Sequence, residues 1–167
     1  QMLRDPALEL ARCAMHGVTF VETIEDPADD GFGTFEALPG WLMEASADLR
    51  AMVAAEGAGE GAGGEERRAL PPLPAVRIAA GVHPHNAKDL TDGLAAALGE
   101  RLRDRRVSAV GEIGLDYHYD LSPRAVQREV FRTQIRLAKA AGLPVVLHMR
   151  EAHDDGFAIL AEEGFPE

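Results

Sequence analysis

The chain contains 167 residues, of which 46% are hydrophobic, and it carries a formal net charge of −11 at pH 7. This length suffices for one hydrophobic core, and the apolar content excludes a chain that is disordered throughout. The acidic charge argues against a protein that coats nucleic acid, although not against an enzyme whose metal supplies positive charge locally. Cys13 is the single cysteine and no apolar run is long enough for a transmembrane helix, so we expect a cytoplasmic protein without a membrane partner.

The first part of the chain alternates predicted helices and strands. Apolar residues at helical spacing predict a helix over residues 5–15, and the run that follows predicts a strand over 18–24. A longer helical pattern covers residues 34–55 and is predicted to be interrupted at Pro39. The stretch 56–75 is rich in Gly, Glu and Pro and low in complexity, so we expect it to be a flexible insertion.

The alternation continues through the rest of the chain. Three more strands are predicted, over residues 76–82, 107–113 and 144–149. The helices between them are predicted over 91–104 and from an N-cap at Ser122 to a final turn before Gly142, and a last helix ends near Glu163. Strands that alternate with helices of this length are typical of βα units. The predicted fold class is therefore α/β with a parallel sheet.

Two predicted strands carry a side chain that is costly to bury. Glu112 ends the run that begins at Val107, and His148 ends the run that begins near Pro144. Burying either group costs several kcal/mol unless something compensates it, and a divalent metal is an effective compensator. The alternative is a structural glutamate in an ion pair and a core histidine with a backbone partner. If the two share a metal, their side-chain tips should lie within about 3–6 Å of each other.

Polar side chains cluster at the ends of three successive strands. They are His83 and His85, Glu112 and Asp116, and His148 and Arg150. In a parallel βα array these ends lie side by side on one face, so residues far apart in sequence become neighbours. One glutamate and one histidine make half of a hydrolytic metal site, which needs three or more protein ligands.

Three motifs in this order resemble the TatD family of metal-dependent deoxyribonucleases. They are Gly-Val-His-Pro-His at 81–85, Gly-Glu-Ile-Gly-Leu-Asp-Tyr at 111–117, and Leu-Pro-Val-Val-Leu-His-Met-Arg-Glu-Ala at 143–152. The similarity is close over residues 76–163 and weaker before them. The resemblance implies part of a TIM-type (β/α)8 barrel, with strands about two to five of eight present, and hydrolysis of DNA phosphodiester bonds.

The resemblance also implies roles for individual residues. The family's motif glutamate corresponds to Glu112 and its histidine before x-Arg-Glu-Ala corresponds to His148, which implies that both bind metal. Its His-Pro-His segment lines the site, so His83 is, together with Glu112, a candidate catalytic residue. His83 is expected to contact a substrate phosphate or water, and His85 beside it is a candidate for substrate binding. The expected cofactor is one or two divalent ions, Mg²⁺ first and Mn²⁺ or Zn²⁺ as alternatives, and the expected partner is DNA as substrate.

Two further side chains are candidates for substrate binding because of their positions. Arg150 lies two residues past His148 on the same side of its strand, where it either binds a phosphate oxygen or forms a salt bridge with Glu151 or Asp116. Asp116 is expected to contact substrate or to orient a ligand histidine.

The chain covers only part of the family pattern. The family's first strand, Asp-x-His-x-His, would precede residue 1, and a later metal-binding histidine and an aspartate would follow residue 167. Residues 1–167 are therefore predicted to form part of a single barrel with about half of its metal ligands. We expect this part, taken alone, to be inactive as a nuclease.

Two other functions fit the same residues. Amidohydrolase-type barrels also cleave lactones, amides and phosphotriesters, and the acidic loops favour such a substrate over DNA. The third possibility is a non-catalytic interaction module or an inactive fragment, although no segment indicates an obligate protein partner. The metal content of the full-length protein would separate this possibility from both enzymes.

Overall fold

A computed structural model gives the structure of the protein and describes residues 5–59 and 69–164. The elements in chain order are α1 (Pro6–Met15), β1 (Phe20–Glu25), α2 (Gly33–Gly59), β2 (Ala75–Ala80), a short 3₁₀ helix (Pro84–Asp89), α3 (Asp92–Arg101), β3 (Val107–Asp116), α4 (Arg124–Ala141), β4 (Val145–Arg150) and α5 (His153–Glu163). Within these ranges no helix is both long enough and apolar enough to cross a membrane.

The four strands form one sheet in the order β1-β2-β3-β4. Strand β2 runs parallel to β3, with Ala79 opposite Ala109, and β3 runs parallel to β4. Parallel neighbours cannot be joined by a tight turn, so a helical connection lies between them. The predicted α/β class with a parallel sheet is confirmed, and the order is that of consecutive βα units.

The described residues group into two compact units. The first comprises the chain up to Val21 together with Thr34–Val76. Its buried cluster joins Ala11 and Ala14 of α1 to Leu49 of α2. These are small and branched apolar residues at helical spacing, so each helix buries one face.

The second unit comprises Glu22–Gly33 and the chain from Arg77 onward. Its core is apolar side chains from the strands and from α4 and α5, all with under 2% of their surface exposed: Ile78, Ile113, Leu115, Phe131, Ile135, Ile159 and Leu160. All the candidate site residues named from the sequence belong to this unit.

Helix α2 differs from its prediction. It runs without a break through Pro39, so the predicted interruption there is wrong. A proline removes one backbone donor, and the remaining hydrogen bonds of a long helix still form on both sides of it. The helix also extends to Gly59, so residues 56–59 of the predicted insertion are helical. Residues 60–68 of that insertion lie outside the described residues, and its flexibility stays a prediction.

Strand β3 is three residues longer than predicted and ends at Asp116 rather than Ile113. Its ladder with β4 continues to the pair Asp116 and Arg150, and this pairing outweighs the low strand propensity of the glycine at position 114. Glu112 therefore lies inside the strand, and Asp116 occupies its carboxyl end.

The predicted N-cap of α4 is also wrong. The Ser122 hydroxyl donates to the backbone oxygen of His85 (2.7 Å) and accepts from the backbone N–H of Lys88 (3.1 Å). The N-cap position is Pro123, which makes no side-chain capping bond. Ser122 is thus a buried link between the start of α4 and the 3₁₀ helix.

Candidate metal and substrate site

Three side chains from neighbouring strands meet at one place in the second unit. His83 follows β2, Glu112 lies in β3 and His148 lies in β4, and one ligand atom of each lies within 4.8 Å of the others. The expected proximity of Glu112 and His148 is confirmed. All three are half-buried, and across residues 5–59 and 69–164 no hydrogen bond or ion pair reaches the Glu112 carboxylate. The alternative of a structural ion pair at Glu112 therefore has no support there.

Glycines allow β3 and β4 to approach each other at this point. Gly114 is paired with His148, has a φ of +142°, and a Cβ atom there would overlap the backbone oxygen of His148. A Cβ atom at Gly111 would likewise overlap the side chain of Val146. The peptide bond between Gly111 and Glu112 is cis. Only residues without a side chain fit at 111 and 114 in this packing.

A second group of side chains centres on Asp116, which is fully buried. Its Oδ2 lies 2.9 Å from Nε2 of His85 and 2.9 Å from Nε2 of His148. Its Oδ1 accepts from the backbone N–H groups of His118 (3.0 Å) and Tyr119 (2.8 Å). Burial by itself raises the pKa of Asp116, but the hydrogen bonds from Tyr119, His85 and His148 outweigh it and hold the pKa well below its ordinary value.

The hydrogen bonds determine which ring nitrogens carry protons. An ionised carboxylate only accepts, so the Nε2 atom of His148 carries the proton and its Nδ1 has a lone pair. Nδ1 of His83 accepts from the backbone N–H of His85 (3.3 Å), which places the His83 proton on Nε2, 3.1 Å from Nδ1 of His148. Burial, followed by the nearby His148 and His85, lowers the pKa of His83 to about 4, so its ring is neutral at pH 7.

These donor atoms fit a divalent metal. A carboxylate oxygen suits Mg²⁺ or Mn²⁺, and imidazole nitrogen extends the range to Zn²⁺. A ligand histidine in proteins usually donates its other ring N–H to a carboxylate, and Asp116 has that relation to His148. Glu112 and Nδ1 of His148 are thus the groups best placed to hold an ion, which would replace the His83 N–H that faces Nδ1 here.

Asp26 positions the His83–His85 segment and was not found from the sequence. Its Oδ2 accepts from the backbone N–H of His83 (3.1 Å) and from Nδ2 of Asn86 (2.8 Å). Burial raises the pKa of Asp26, although these hydrogen bonds partly oppose the change. An aspartate just after a predicted strand is common in loops, so the sequence offered no signal for this role.

Two buried glutamines of α4 fasten the strand ends. Gln134 accepts from the backbone N–H of Val82 (2.7 Å) and donates to its carbonyl oxygen (2.9 Å). Gln127 accepts from the N–H of Asp116 (2.8 Å) and donates to its carbonyl oxygen (3.1 Å). Each side-chain amide thus binds the N–H and the carbonyl of one residue, as the backbone of a neighbouring strand would. Their spacing of seven residues on the apolar face of α4 was the available signal.

Arg150 makes neither of the ion pairs considered from the sequence. Its guanidinium lies 4.5 Å from the centre of the Tyr119 ring, and Glu151 pairs instead with His118 (2.8 Å). No carboxylate in the described part of the chain forms an ion pair with Arg150. A salt bridge to Glu151 or Asp116 is therefore wrong, and the charge of Arg150 is available to a ligand.

A cavity of about 410 Å³ lies where β3 and β4 end and α5 begins. Half of its lining residues are acidic, and the lining consists of Tyr117, Glu151, Ala152, His153, Asp154 and Asp155. The Tyr117 hydroxyl donates to Asp155 (2.6 Å), which also pairs with Arg128 (3.2 Å). The cavity thus adjoins the segment that follows His148 and adds negative charge to that side.

Known proteins are similar to this chain in sequence and in fold. The family model described as TatD related DNase matches residues 68–167. A protein named "Uncharacterized metal-dependent hydrolase YabD" from Bacillus subtilis is 49% identical over 89 residues, which are 53% of this chain and 35% of that protein. A protein named "3'-5' ssDNA/RNA exonuclease TatD" from Cronobacter turicensis is 46% identical over 81 residues, 48% of this chain and 31% of that protein.

Solved structures extend the similarity to nearly the whole chain. The structure of YJJV, a TatD homologue from Escherichia coli, has a TM-score of 0.60 at 27% identity and covers 96% of this chain and 49% of its own. A TatD family hydrolase from Entamoeba histolytica has a TM-score of 0.67 at 22% identity, with 96% and 45% covered. The chain spans about half the length of these structures, and its matched region about a third of the curated relatives. The fold is that of part of a TIM-type barrel, and the family model covers more than half of the residues. The chain therefore belongs to the TatD family.

Proposed function

We propose that this chain is part of a divalent-metal-dependent hydrolase that cleaves phosphodiester bonds in DNA. The observation that carries the proposal is the convergence of His83, Glu112 and His148, whose ligand atoms lie within 4.8 Å of one another. The relatives named as single-stranded DNA and RNA exonucleases support the substrate class. Mg²⁺ is the expected ion, with Mn²⁺ and Zn²⁺ as alternatives.

Each residue has a distinct part in the proposed reaction. Glu112 and His148 would hold the ion, which when bound supplies an activated water and neutralises charge on a phosphate oxygen. Asp116 keeps the proton of His148 on Nε2, so that Nδ1 retains its lone pair. His83 is neutral at pH 7, and its Nε2–H faces Nδ1 of His148; an ion bound at Nδ1 would take that lone pair and leave the His83 N–H to donate to a phosphate oxygen. His85 and Arg150 lie beside this group as substrate contacts.

A second candidate is a hydrolase of the same type with an uncharged or less charged substrate. The specific observation in its favour is the acidic lining of the 410 Å³ cavity by Glu151, Asp154 and Asp155. Glu151 and Asp155 are paired with His118 and Arg128, but Asp154 has no cationic partner in the described part of the chain, so this side disfavours the approach of a polyanion. Lactones, amides and small phosphoesters would meet no such repulsion.

The test is metal-dependent hydrolysis by the full-length protein. The measured quantities are kcat/KM on end-labelled single-stranded DNA with Mg²⁺, Mn²⁺ or Zn²⁺, and the Kd of each metal by calorimetry. We expect chelation to abolish activity and Glu112→Gln to lower kcat/KM by roughly 100-fold or more, which exceeds the usual loss from removing the partner of a ligand. The Kd of the metal should rise in parallel.

Glu129→Gln is the matched control, because that glutamate lies on α4 with 79% of its side chain exposed. It removes the same charge and should leave both quantities unchanged. Unaltered kcat/KM in Glu112→Gln would refute the metal assignment. Metal-dependent cleavage of a lactone, amide or small phosphoester without cleavage of DNA would favour the second candidate.

A further inference from the structure

We infer that Tyr119 and Arg150 form a nucleobase-stacking subsite beside the candidate metal site. The inference rests on the proposed function for its substrate class and deepens it. Its own evidence is the geometry of one exposed aromatic residue and of one arginine that has no carboxylate partner among residues 5–59 and 69–164.

Tyr119 is an exposed aromatic residue held in place by its backbone. The residue has 53% of its surface exposed, although aromatic side chains commonly contribute to a core. Its backbone N–H donates to Oδ1 of Asp116 (2.8 Å), the same carboxylate that holds His148. The rings of His85 and His118 stand edge-on to it at centroid distances of 5.6 and 4.7 Å. The ring position is thus coupled to the site by a hydrogen bond and by contacts.

Arg150 places a cation against this ring. It ends β4 two residues after His148, in register with Asp116 at the end of β3, and its guanidinium lies 4.5 Å from the centre of the Tyr119 ring. This interaction holds the guanidinium over the aromatic ring without neutralising its charge. The charge can therefore act on a phosphate group next to a base that stacks here.

A neighbouring pair in the same segment shows what a purely structural arrangement looks like. Arg124 lies 4.4 Å from the centre of the Tyr117 ring, but it is also paired with Asp120 (2.7 Å). The Tyr117 hydroxyl is bound to Asp155. In the described part of the chain, neither Arg150 nor the Tyr119 hydroxyl has such a polar partner. The two pairs differ in the groups they leave available to a ligand.

An exposed ring with a cation beside it matches the chemistry of a nucleotide. Bases of single strands stack on aromatic side chains and on arginine planes, and this recognition is tolerant of sequence because every base has a π face. In a duplex the bases stack on one another and are not available to the ring. The subsite therefore predicts a preference for unpaired nucleotides and no strong preference among the bases.

The test is binding of oligonucleotides by the full-length protein in the presence of a chelator, so that no cleavage occurs. The probes are a thymidine oligonucleotide and an abasic oligonucleotide of equal length, which has the same phosphates and no bases. We expect the thymidine probe to bind more tightly. Tyr119→Ala should weaken thymidine binding by roughly 5- to 150-fold and leave abasic binding unchanged.

Three further variants separate stacking from charge and from general disturbance. Tyr119→Phe keeps the ring and should retain thymidine binding, while Arg150→Gln should weaken binding of both probes. Leu121→Ala truncates a residue of similar exposure (54%) in the same segment and should leave binding of both probes unchanged. Circular dichroism of each variant reports whether it is folded.

The inference is overturned if Tyr119→Ala binds thymidine as the unaltered protein does, if its loss is equal on both probes, or if the unaltered protein binds both probes equally. A thymidine-specific loss in Tyr119→Ala supports the subsite even when the metal-loaded protein cleaves no DNA. In that case the subsite stands, and the proposed nuclease activity is what fails.

Discussion

Replacing Asp116 with asparagine probes the group on which the candidate site depends. The aspartate uses both oxygens as acceptors: Oδ1 for the N–H groups of His118 and Tyr119, and Oδ2 for Nε2 of His85 and His148. Asparagine has one accepting oxygen, and its amide nitrogen only donates. In either orientation of the amide, two of the four hydrogen bonds are lost unless the partners change their protonation.

The loss of unfolding free energy in Asp116→Asn follows from the number of hydrogen bonds that are lost. A hydrogen bond to a charged group contributes about 1.5–3 kcal/mol, so the loss of two lowers the free energy of unfolding by about 3–6 kcal/mol. The protein avoids this cost if the asparagine amide donates to both Nε2 atoms, which moves the proton of His148 to Nδ1. That atom then has no lone pair for a metal, and metal affinity should fall by roughly 10- to 100-fold. Asp116→Asn thus costs stability or metal affinity.

Urea denaturation and calorimetric titration of Mn²⁺ measure the two quantities on the full-length protein. Asp104→Asn is the control, because Asp104 is a hydrogen-bonded aspartate whose partner, Arg106, lies outside the candidate site. This variant should leave metal affinity unchanged. If Asp116→Asn keeps both its unfolding free energy and its Kd for Mn²⁺, the orienting role of Asp116 is refuted.

Three other changes have predictable effects. Gln134→Leu removes both hydrogen bonds that its amide makes to the backbone and should lower the free energy of unfolding by about 2–6 kcal/mol in urea, whereas an unchanged midpoint would contradict it. Gly114→Ala should reduce metal affinity, because the added Cβ overlaps the backbone of His148. Gly142→Ala is its control: that glycine has a φ of +65° but open space around it, so the change should lower the free energy of unfolding by only about 1–2 kcal/mol and leave metal affinity unchanged. The side-chain hydrogen bond from Arg106 lowers the pKa of Asp104 from its ordinary 3.8 to about 2. The ionised Asp104 therefore stabilises the fold fully above pH 3.8, and this stabilisation is lost as the pH falls towards 2. The difference in unfolding free energy between the unaltered protein and Asp104→Asn should therefore narrow on acidification, and a difference that stays constant down to pH 2 would show that Asp104 does not stabilise the fold through its charge.

Local sequence was sufficient to predict the structural features that depend on residues close together in the chain. The end of α4 was predicted from Gly142, because glycine readily adopts the left-handed conformation that ends a helix, and the structure shows Gly142 in that conformation. Alternating apolar runs and helical patterns predicted all four strands. The predicted meeting of Glu112 and His148 needed one further rule, that successive parallel strands align their ends, and the structure places the two together.

Other features depend on groups that are distant in sequence, and only the tertiary structure decided them. Strand β3 extends to Asp116 because β4 offers it backbone partners as far as Arg150, which no local propensity encodes. The roles of Asp26 and Gln134 arise from backbone groups more than fifty residues away, at His83 and Val82 respectively. A sequence pattern records which side chains are polar, but whether a polar side chain is buried depends on what folds against it. The position of the proton on the His148 ring was decided in the same way, because the carboxylate that accepts from its Nε2 lies on another strand.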